Sequence, residues 1–208
     1  MTYLIFCYIL IFPINVSALD VFHVKHVIDG DTIILENNRH VRYIGIDAPE
    51  IYHKENRAQA FGYAARDYNQ RKIGNKKIYL SYDREKKDAY NRLLAYVFDR
   101  DKNFINRLLL LEGYAYYLYK SPNIRFHDVL LKAQRAAMTA KRGLWGQLND
   151  QDNVFIGNVN TKRFHTPSCP FGKRIRKINR TEFTGKWEAF WEGYAPCKRC
   201  MSVTPFAR

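Results

Sequence analysis

The chain has 208 residues, a formal net charge of +14 and a sequence pI near 9.7, with 47% hydrophobic and 15% aromatic residues. That composition excludes a disordered chain and leaves enough length for one core of ordinary size and a smaller partner unit. The positive excess points to a polyanionic partner, nucleic acid first; composition alone leaves anionic lipid or cell wall open as the alternative.

Residues 1–18 carry no charged side chain, run apolar over 4–14 and end in the small residues Val16-Ser17-Ala18. They read as an export signal cleaved after Ala18, although no Lys or Arg precedes the apolar run. The run is shorter than the roughly 20 residues of a spanning helix, and Pro13 interrupts it. The mature protein is therefore expected to be secreted or periplasmic, with no stable membrane span. Cys7 leaves with the signal, and Cys169, Cys197 and Cys200 remain, an odd set that argues against a disulfide framework.

Short β-type runs follow at 22–27, 32–35 and 41–44, broken by Asp29-Gly30 and by Glu36-Asn37-Asn38, and predict an antiparallel meander. Asp47-Ala48-Pro49-Glu50 closes it. The stretch 57–71 suits a helix, and strand character at 77–82 and 92–98, around the charged loop 83–88, predicts a hairpin. An apolar helix is expected over 104–112, ended by Gly113. An amphipathic one is expected over 126–141, with Val129, Leu130, Ala133, Ala136 and Ala137 on its apolar face. Five strands with three helices predict an α+β fold built on an OB-like five-stranded β-barrel, a periodicity that other small α+β folds share. The polar segment 147–153 reads as a linker between a domain at 21–146 and a small module at 154–208.

In this basic chain Asp31, Asp47 and Glu50 form an acidic island at the ends of the first meander, and hard oxygen ligands of this kind suit calcium or magnesium. Hairpin-turn or helix-cap chemistry explains each acid about as well when taken singly. Arg42 lies at an odd offset from Asp47, which puts the two on opposite faces of a strand unless the chain bends or ends between them. Arg92 opens the later hairpin near Asp88 and Tyr90.

Three segments then resemble, in order and spacing, the signature segments of the staphylococcal nuclease family: Val27-Ile28-Asp29-Gly30-Asp31-Thr32, the run from Val41-Arg42 through Asp47-Ala48-Pro49-Glu50, and Asp88-Ala89-Tyr90-Asn91-Arg92-Leu93-Leu94-Ala95-Tyr96. The resemblance covers roughly 21–146. It implies a calcium ion held by Asp31, Asp47 and the backbone carbonyl of Ala48, with Glu50 orienting or deprotonating the attacking water and Arg42 and Arg92 gripping the phosphate. It also implies that Tyr90, Tyr117 and Tyr119 contact the nucleotide, and that DNA and/or RNA is cut at the bond to the 5′ oxygen, leaving 3′-phosphate ends. A monomer is expected. Ala48 stands where the best-known member has Thr, and Asn91 where it has Gly; neither change removes a charged participant.

Near the C-terminus, His165 and Cys169 form an H-x3-C pair, and Cys197 and Cys200 a C-x2-C pair, spacings that suit tetrahedral zinc. A Cys197–Cys200 disulfide with Cys169 free is the alternative. The run Gly193-Tyr194-Ala195-Pro196-Cys197-Lys198-Arg199-Cys200, with Pro167-Ser168-Cys169 upstream, resembles the zinc domain of the Ada methyl acceptor. His165 stands where that domain has its methyl-accepting cysteine, so the resemblance implies a structural Cys3His zinc site without methyl transfer. Arg163, Lys173, Arg174, Arg176, Lys177 and Arg180 make this module basic, as a grip on phosphate backbone or simply a solvated surface.

Overall fold

A computed structural model of the chain describes residues 20–51, 58–150 and 153–201; the expected export signal lies outside them. The meander forms as β1 (Asp20–Val27), β2 (Thr32–Leu35) and β3 (His40–Tyr43), antiparallel throughout. Its first turn is tied by the Asp29 carboxylate, which accepts the Asp31 N–H at 2.8 Å, and its second is made by Asn38 at φ +61°. A two-residue strand, β4 (Ile46–Asp47), follows at once.

Helix α1 spans Gly62–Ile73. It begins later than expected: residue 57 lies outside the described residues, and 58–61 precede the helix without joining it. Gly62 is the helix's first residue and not an interior breaker. A Cβ there would meet the Glu50 carbonyl oxygen at 2.9 Å, so the glycine lets the helix start against the loop that carries Glu50.

The hairpin forms as β5 (Lys77–Ser81) and β6 (Leu93–Phe98). All of β6 is buried, which explains its unbroken apolar run. Antiparallel pairing of β1 with β5 and parallel pairing of β3 with β6 close the five strands into a barrel in the order β1-β2-β3-β6-β5. Around it stand α1, α2 (Ile105–Leu111) and α3 (His127–Thr139), with β7 (Tyr116–Tyr117) pairing β4. The expected five-stranded α+β barrel is thus the observed one.

The buried face of α3 differs from the expected one. Leu130, Leu131, Ala133, Gln134, Ala137 and Met138 face inward, while Val129 and Ala136 are exposed. At about 100° per residue an inward stripe through 130, 133, 134 and 137 turns 129 and 136 outward. Gln134 is admitted to this stripe because both ends of its amide are used. Its Oε1 accepts the Tyr117 N–H and its Nε2 donates to the Phe190 carbonyl, each at 2.6 Å.

Beyond a 3-10 turn at Gly143–Gly146, a second sheet of order β10-β8-β9-β11 is built from β8 (Phe155–Asn158), β9 (Arg163–His165), β10 (Arg180–Phe183) and β11 (Ala195–Pro196). Two short helices accompany it, α4 (Pro170–Lys173) and α5 (Lys186–Trp191). Phe155, Phe164, Phe183 and Phe190 share one buried cluster with Tyr116, Met138, Leu144 and Trp145, so this sheet is packed directly on the flank of the barrel.

Gly45 sits at φ +78° between β3 and β4, and a Cβ there would meet Leu130 Cδ1 at 2.5 Å. Gly45→Ala should therefore lower stability by about 1–3 kcal/mol, measurable as an earlier thermal unfolding transition.

Candidate active site

The site begins with a bend. β3 ends at Tyr43, the chain turns at Gly45, and β4 carries Asp47 to within 2.6 Å of Arg42, which resolves the odd offset that kept the two apart in an extended strand. Across β2 and β3, Thr32 pairs with Arg42, which places Asp31 at the same end of the barrel. The Arg42 guanidinium forks between the two acids: Nη1 lies 2.7 Å from Asp31 Oδ2, Nη2 lies 2.6 Å from Asp47 Oδ1, and Nη1 also donates to the Ile46 carbonyl at 3.1 Å.

Both carboxylates are almost fully buried, Asp31 at 4% and Asp47 at 1% exposure. Asp31 also accepts the Ala48 N–H at 2.5 Å and the Thr32 hydroxyl at 3.1 Å. Asp47 accepts the Tyr116 hydroxyl at 2.9 Å. Burial pushes the Asp31 carboxyl well above the usual carboxylate range despite Arg42. For Asp47 burial acts the same way, but Arg42, Lys198 and the Tyr116 hydroxyl outweigh it and hold the group low. Burial would lower Arg42 too, yet the two acids keep it protonated. One guanidinium is thus shared by two acids and does not fully compensate them.

Glu50 stands beyond Pro49, half-buried, its backbone N–H donating to Gln59 Oε1 at 3.0 Å. It is joined to Asp47 through a residue from the far end of the chain. Lys198 Nζ lies 3.2 Å from both Asp47 oxygens and 3.6 Å from Glu50 Oε1. The three acids are therefore spaced by cations, Arg42 between Asp31 and Asp47 and Lys198 between Asp47 and Glu50.

Arg92 forms the opposite wall. Asn91, at φ +61°, makes the turn before it, as expected of a residue that tolerates left-handed backbone. Asp88 accepts the Arg92 N–H at 3.0 Å and pairs with Arg92 Nε at 2.7 Å, which aims the guanidinium. Arg42, Asp47, Glu50, Asp88, Arg92, Lys120, Arg163 and Lys198 line one cleft of about 230 Å³, with Asp31 behind Arg42.

The three candidate tyrosines stand outside that lining. Tyr90 is 83% exposed at the rim, its ring centroid 5.6 Å from the Arg92 guanidinium carbon. Tyr117 is buried, its hydroxyl 2.6 Å from His127 Nδ1, and Tyr119 packs edge-on to the same imidazole.

Sequence reasoning did not assign roles to Asp88, Tyr116 or Lys198, and it placed Arg163 only in the module's basic set, as a grip on phosphate backbone or a solvated surface, not in this cleft. Asp88 had a local signal, its spacing of four residues from Arg92 in a turn. Tyr116 and Lys198 had none, because they reach Asp47 across 69 and 151 residues of chain, and the basic run around Arg163 does not say which cleft it faces.

The second constellation lies nearby. His165, Cys169, Cys197 and Cys200 place one ligand atom each within 4.8 Å of one another, a group that can hold a metal ion, and among the described residues all three thiols are free. Cys169 Sγ is 3.4 Å from His165 Nδ1. Burial and Arg163 push the imidazole down, toward its neutral, ligating form. Burial would raise the Cys169 thiol, but the N–H groups of Gly172 and Phe171 outweigh it and favour the thiolate. Cys200 is pushed up to about 11, chiefly by burial. Thiols at such close quarters cannot all ionise without a central cation, and soft sulfur with imidazole is the donor set zinc takes.

No helix among the described residues is long and apolar enough to cross a membrane. Residues 40–147 match the family model described as staphylococcal nuclease homologue. The chain is 36% identical over 127 residues to a thermonuclease of Staphylococcus hyicus, covering 60% of this chain and 75% of that protein. It is 38% identical over 140 residues to a thermonuclease of Staphylococcus intermedius, covering 64% and 83%. A longer alignment, 29% identical over 202 residues, spans 82% of this chain and 16% of endonuclease YhcR of Bacillus subtilis (strain 168). The chain belongs to the staphylococcal nuclease family, and it is a nuclease, a hydrolase whose substrates are nucleic acids.

Proposed function

We propose that the protein is a calcium-dependent phosphodiesterase cutting DNA and/or RNA, carried on a barrel domain at 21–146 and completed by a structural zinc module at 154–208. The observation that supports this most is the single cleft in which Arg42, Asp47, Glu50 and Arg92 face one another, with Asp31 directly behind.

The donor set fits calcium. Asp31 and Asp47 are hard, buried oxygen ligands at one end of the barrel, with the Ala48 backbone directly beside Asp31. Asp31, Asp47 and the Ala48 carbonyl would hold the ion, which when bound supplies Lewis-acid polarisation and charge neutralisation at the phosphate. Arg42 and Arg92 bind the equatorial phosphate oxygens, where charge accumulates during attack, and their planar donors match those oxygens in pairs. Asp88 keeps Arg92 aimed at them. Glu50 takes a proton from the attacking water, whose oxygen bonds to phosphorus as the bond from phosphorus to the 5′ oxygen breaks; the departing 5′ oxygen takes a proton from solvent to become a hydroxyl, and a 3′-phosphate end remains, the family's product. Tyr90 offers an exposed ring for stacking a base, and Tyr117 and Tyr119, grouped around His127, are the other nucleotide-contact positions of this reading.

In the C-terminal module, His165, Cys169, Cys197 and Cys200 would hold a structural zinc, as in the Ada-like domain it resembles, with no methyl transfer. Residues 1–18 fit an export signal, which would make this a secreted or periplasmic enzyme, acting as a monomer.

Plasmid and RNA digestion should stop when calcium is chelated, and Glu50→Gln should slow it by about 100-fold or more; digestion indifferent to both removes the assignment. Calcium should also raise the thermal unfolding temperature of the folded protein, a shift that Asp31→Asn and Asp47→Asn abolish. Metal analysis of the purified mature chain should find one zinc per molecule, lost in Cys197→Ser; a Cys197–Cys200 bridge in a thiol count, with no metal, refutes the zinc site.

A further inference from the structure

The C-terminal module reaches into the nuclease cleft through two residues that flank its metal-ligand positions. Arg163 lies two residues before His165 on β9, and Lys198 follows Cys197 directly after β11. The two short strands pair in parallel, Ala195 with Arg163 and Pro196 with Phe164, and the Cys197 N–H donates to the Phe164 carbonyl at 2.9 Å. Arg163 Nη1 donates to the Pro196 carbonyl at 2.8 Å, which locks its guanidinium beside the Cys197 turn. Among the described residues Arg163 has no carboxylate partner within ion-pair distance, although it lines the cleft with Arg42 and Arg92. Lys198 bridges Asp47 and Glu50 on a side chain that is 58% exposed.

Arg42, Arg92 and Lys120 supply positive charge from the barrel side of the cleft, and Arg163 and Lys198 supply it from the other. A phosphodiester strand carries one charge per nucleotide, so a strand crossing the scissile position presents further phosphates on either side of it. The ammonium of Lys198 rides on a flexible four-carbon stem and its side chain is more than half exposed, so a phosphate can approach it from the open side while it stays beside Asp47 and Glu50.

We propose that the C-terminal module forms the second wall of the nuclease cleft, with Lys198 and Arg163 binding backbone phosphates of the substrate strand adjacent to the scissile one. This rests on the nuclease reading of the cleft. The His165/Cys169/Cys197/Cys200 cluster then acts as the positioning device for both cations, holding β9 and the Cys197 turn together.

The test is equilibrium binding of a single-stranded phosphorothioate DNA oligonucleotide, which keeps the backbone charge and resists cleavage, measured across a salt series with calcium present. Lys198→Ala and Arg163→Ala should each weaken binding at low salt and reduce the slope of log affinity against log salt by about 0.7. Lys198→Arg should keep the slope, as should Lys25→Ala on β1, whose ammonium is held by Asn38 in the turn between β2 and β3. Thermal unfolding of each variant separates lost contacts from lost folding. An unchanged slope in folded Lys198→Ala and Arg163→Ala proteins overturns the proposal. Tighter oligonucleotide binding in Lys198→Ala does so as well, because it would make the ammonium a plug on Asp47 and Glu50. Failure of the nuclease reading shows separately, as wild-type protein that binds the oligonucleotide yet leaves plasmid and RNA intact.

Discussion

Two carboxylates buried within reach of each other are tolerable only if a cation stands between them, and the Arg42 fork on Asp31 and Asp47 meets that requirement. Much of the local chain follows from it. The left-handed Gly45 turn is what lets neighbouring strands present Arg42 and Asp47 to each other, and Leu130 of α3 leaves no room there for a side chain. The compensation is deliberately incomplete in an electrostatic sense: Asp31 is held high, Asp47 low, and further cations gather from Lys198 and Arg163. Acids and guanidinium groups thus coexist at one end of the barrel without either set neutralising the other completely, the balance that the proposed metal and phosphate sites require.

The seam between the barrel and the C-terminal sheet is built from the same chain segments that build the site. Tyr116 belongs to the shared aromatic cluster through its ring, 5.7 Å from Phe190, and to the active site through its hydroxyl on Asp47. Gln134 ties β7 to the end of α5 through a fully buried amide. Burying this amide is favourable only because both its donor and its acceptor are satisfied, so it specifies one docking position and not a range of them. Residues of the second sheet can then contribute to the cleft because apolar packing and paired hydrogen bonds define where that sheet sits.

Much of the fold was legible in the residues because its signals are local. The barrel strands announce themselves by short β-rich runs between turn formers, and α2 by its apolar run before Gly113. Asn91 was readable as a turn residue that tolerates positive φ, and it adopts φ +61°. The face of α3 was misjudged because small alanines give weak phase information: Ala136 is exposed and Ala137 buried, while the polar Gln134, which points inward, was not counted. The start of α1 was placed too early because nothing in its composition reveals that Gly62 must clear the Glu50 carbonyl.

For the site, the sequence by itself determined the list of candidates: Asp31, Arg42, Asp47, Glu50 and Arg92 through the family resemblance of their segments, and His165, Cys169, Cys197 and Cys200 through ligand type and short spacing, and the structure brings each group together. Only the tertiary structure decided their mutual geometry. The fork of Arg42 depends on a bend that strand periodicity does not encode, and the buried placement of Tyr117 against His127 depends on helix packing. Lys198 and Arg163 enter the cleft through contacts between residues far apart in the chain, and such contacts leave no mark on local pattern because they are set by how two packed sheets meet.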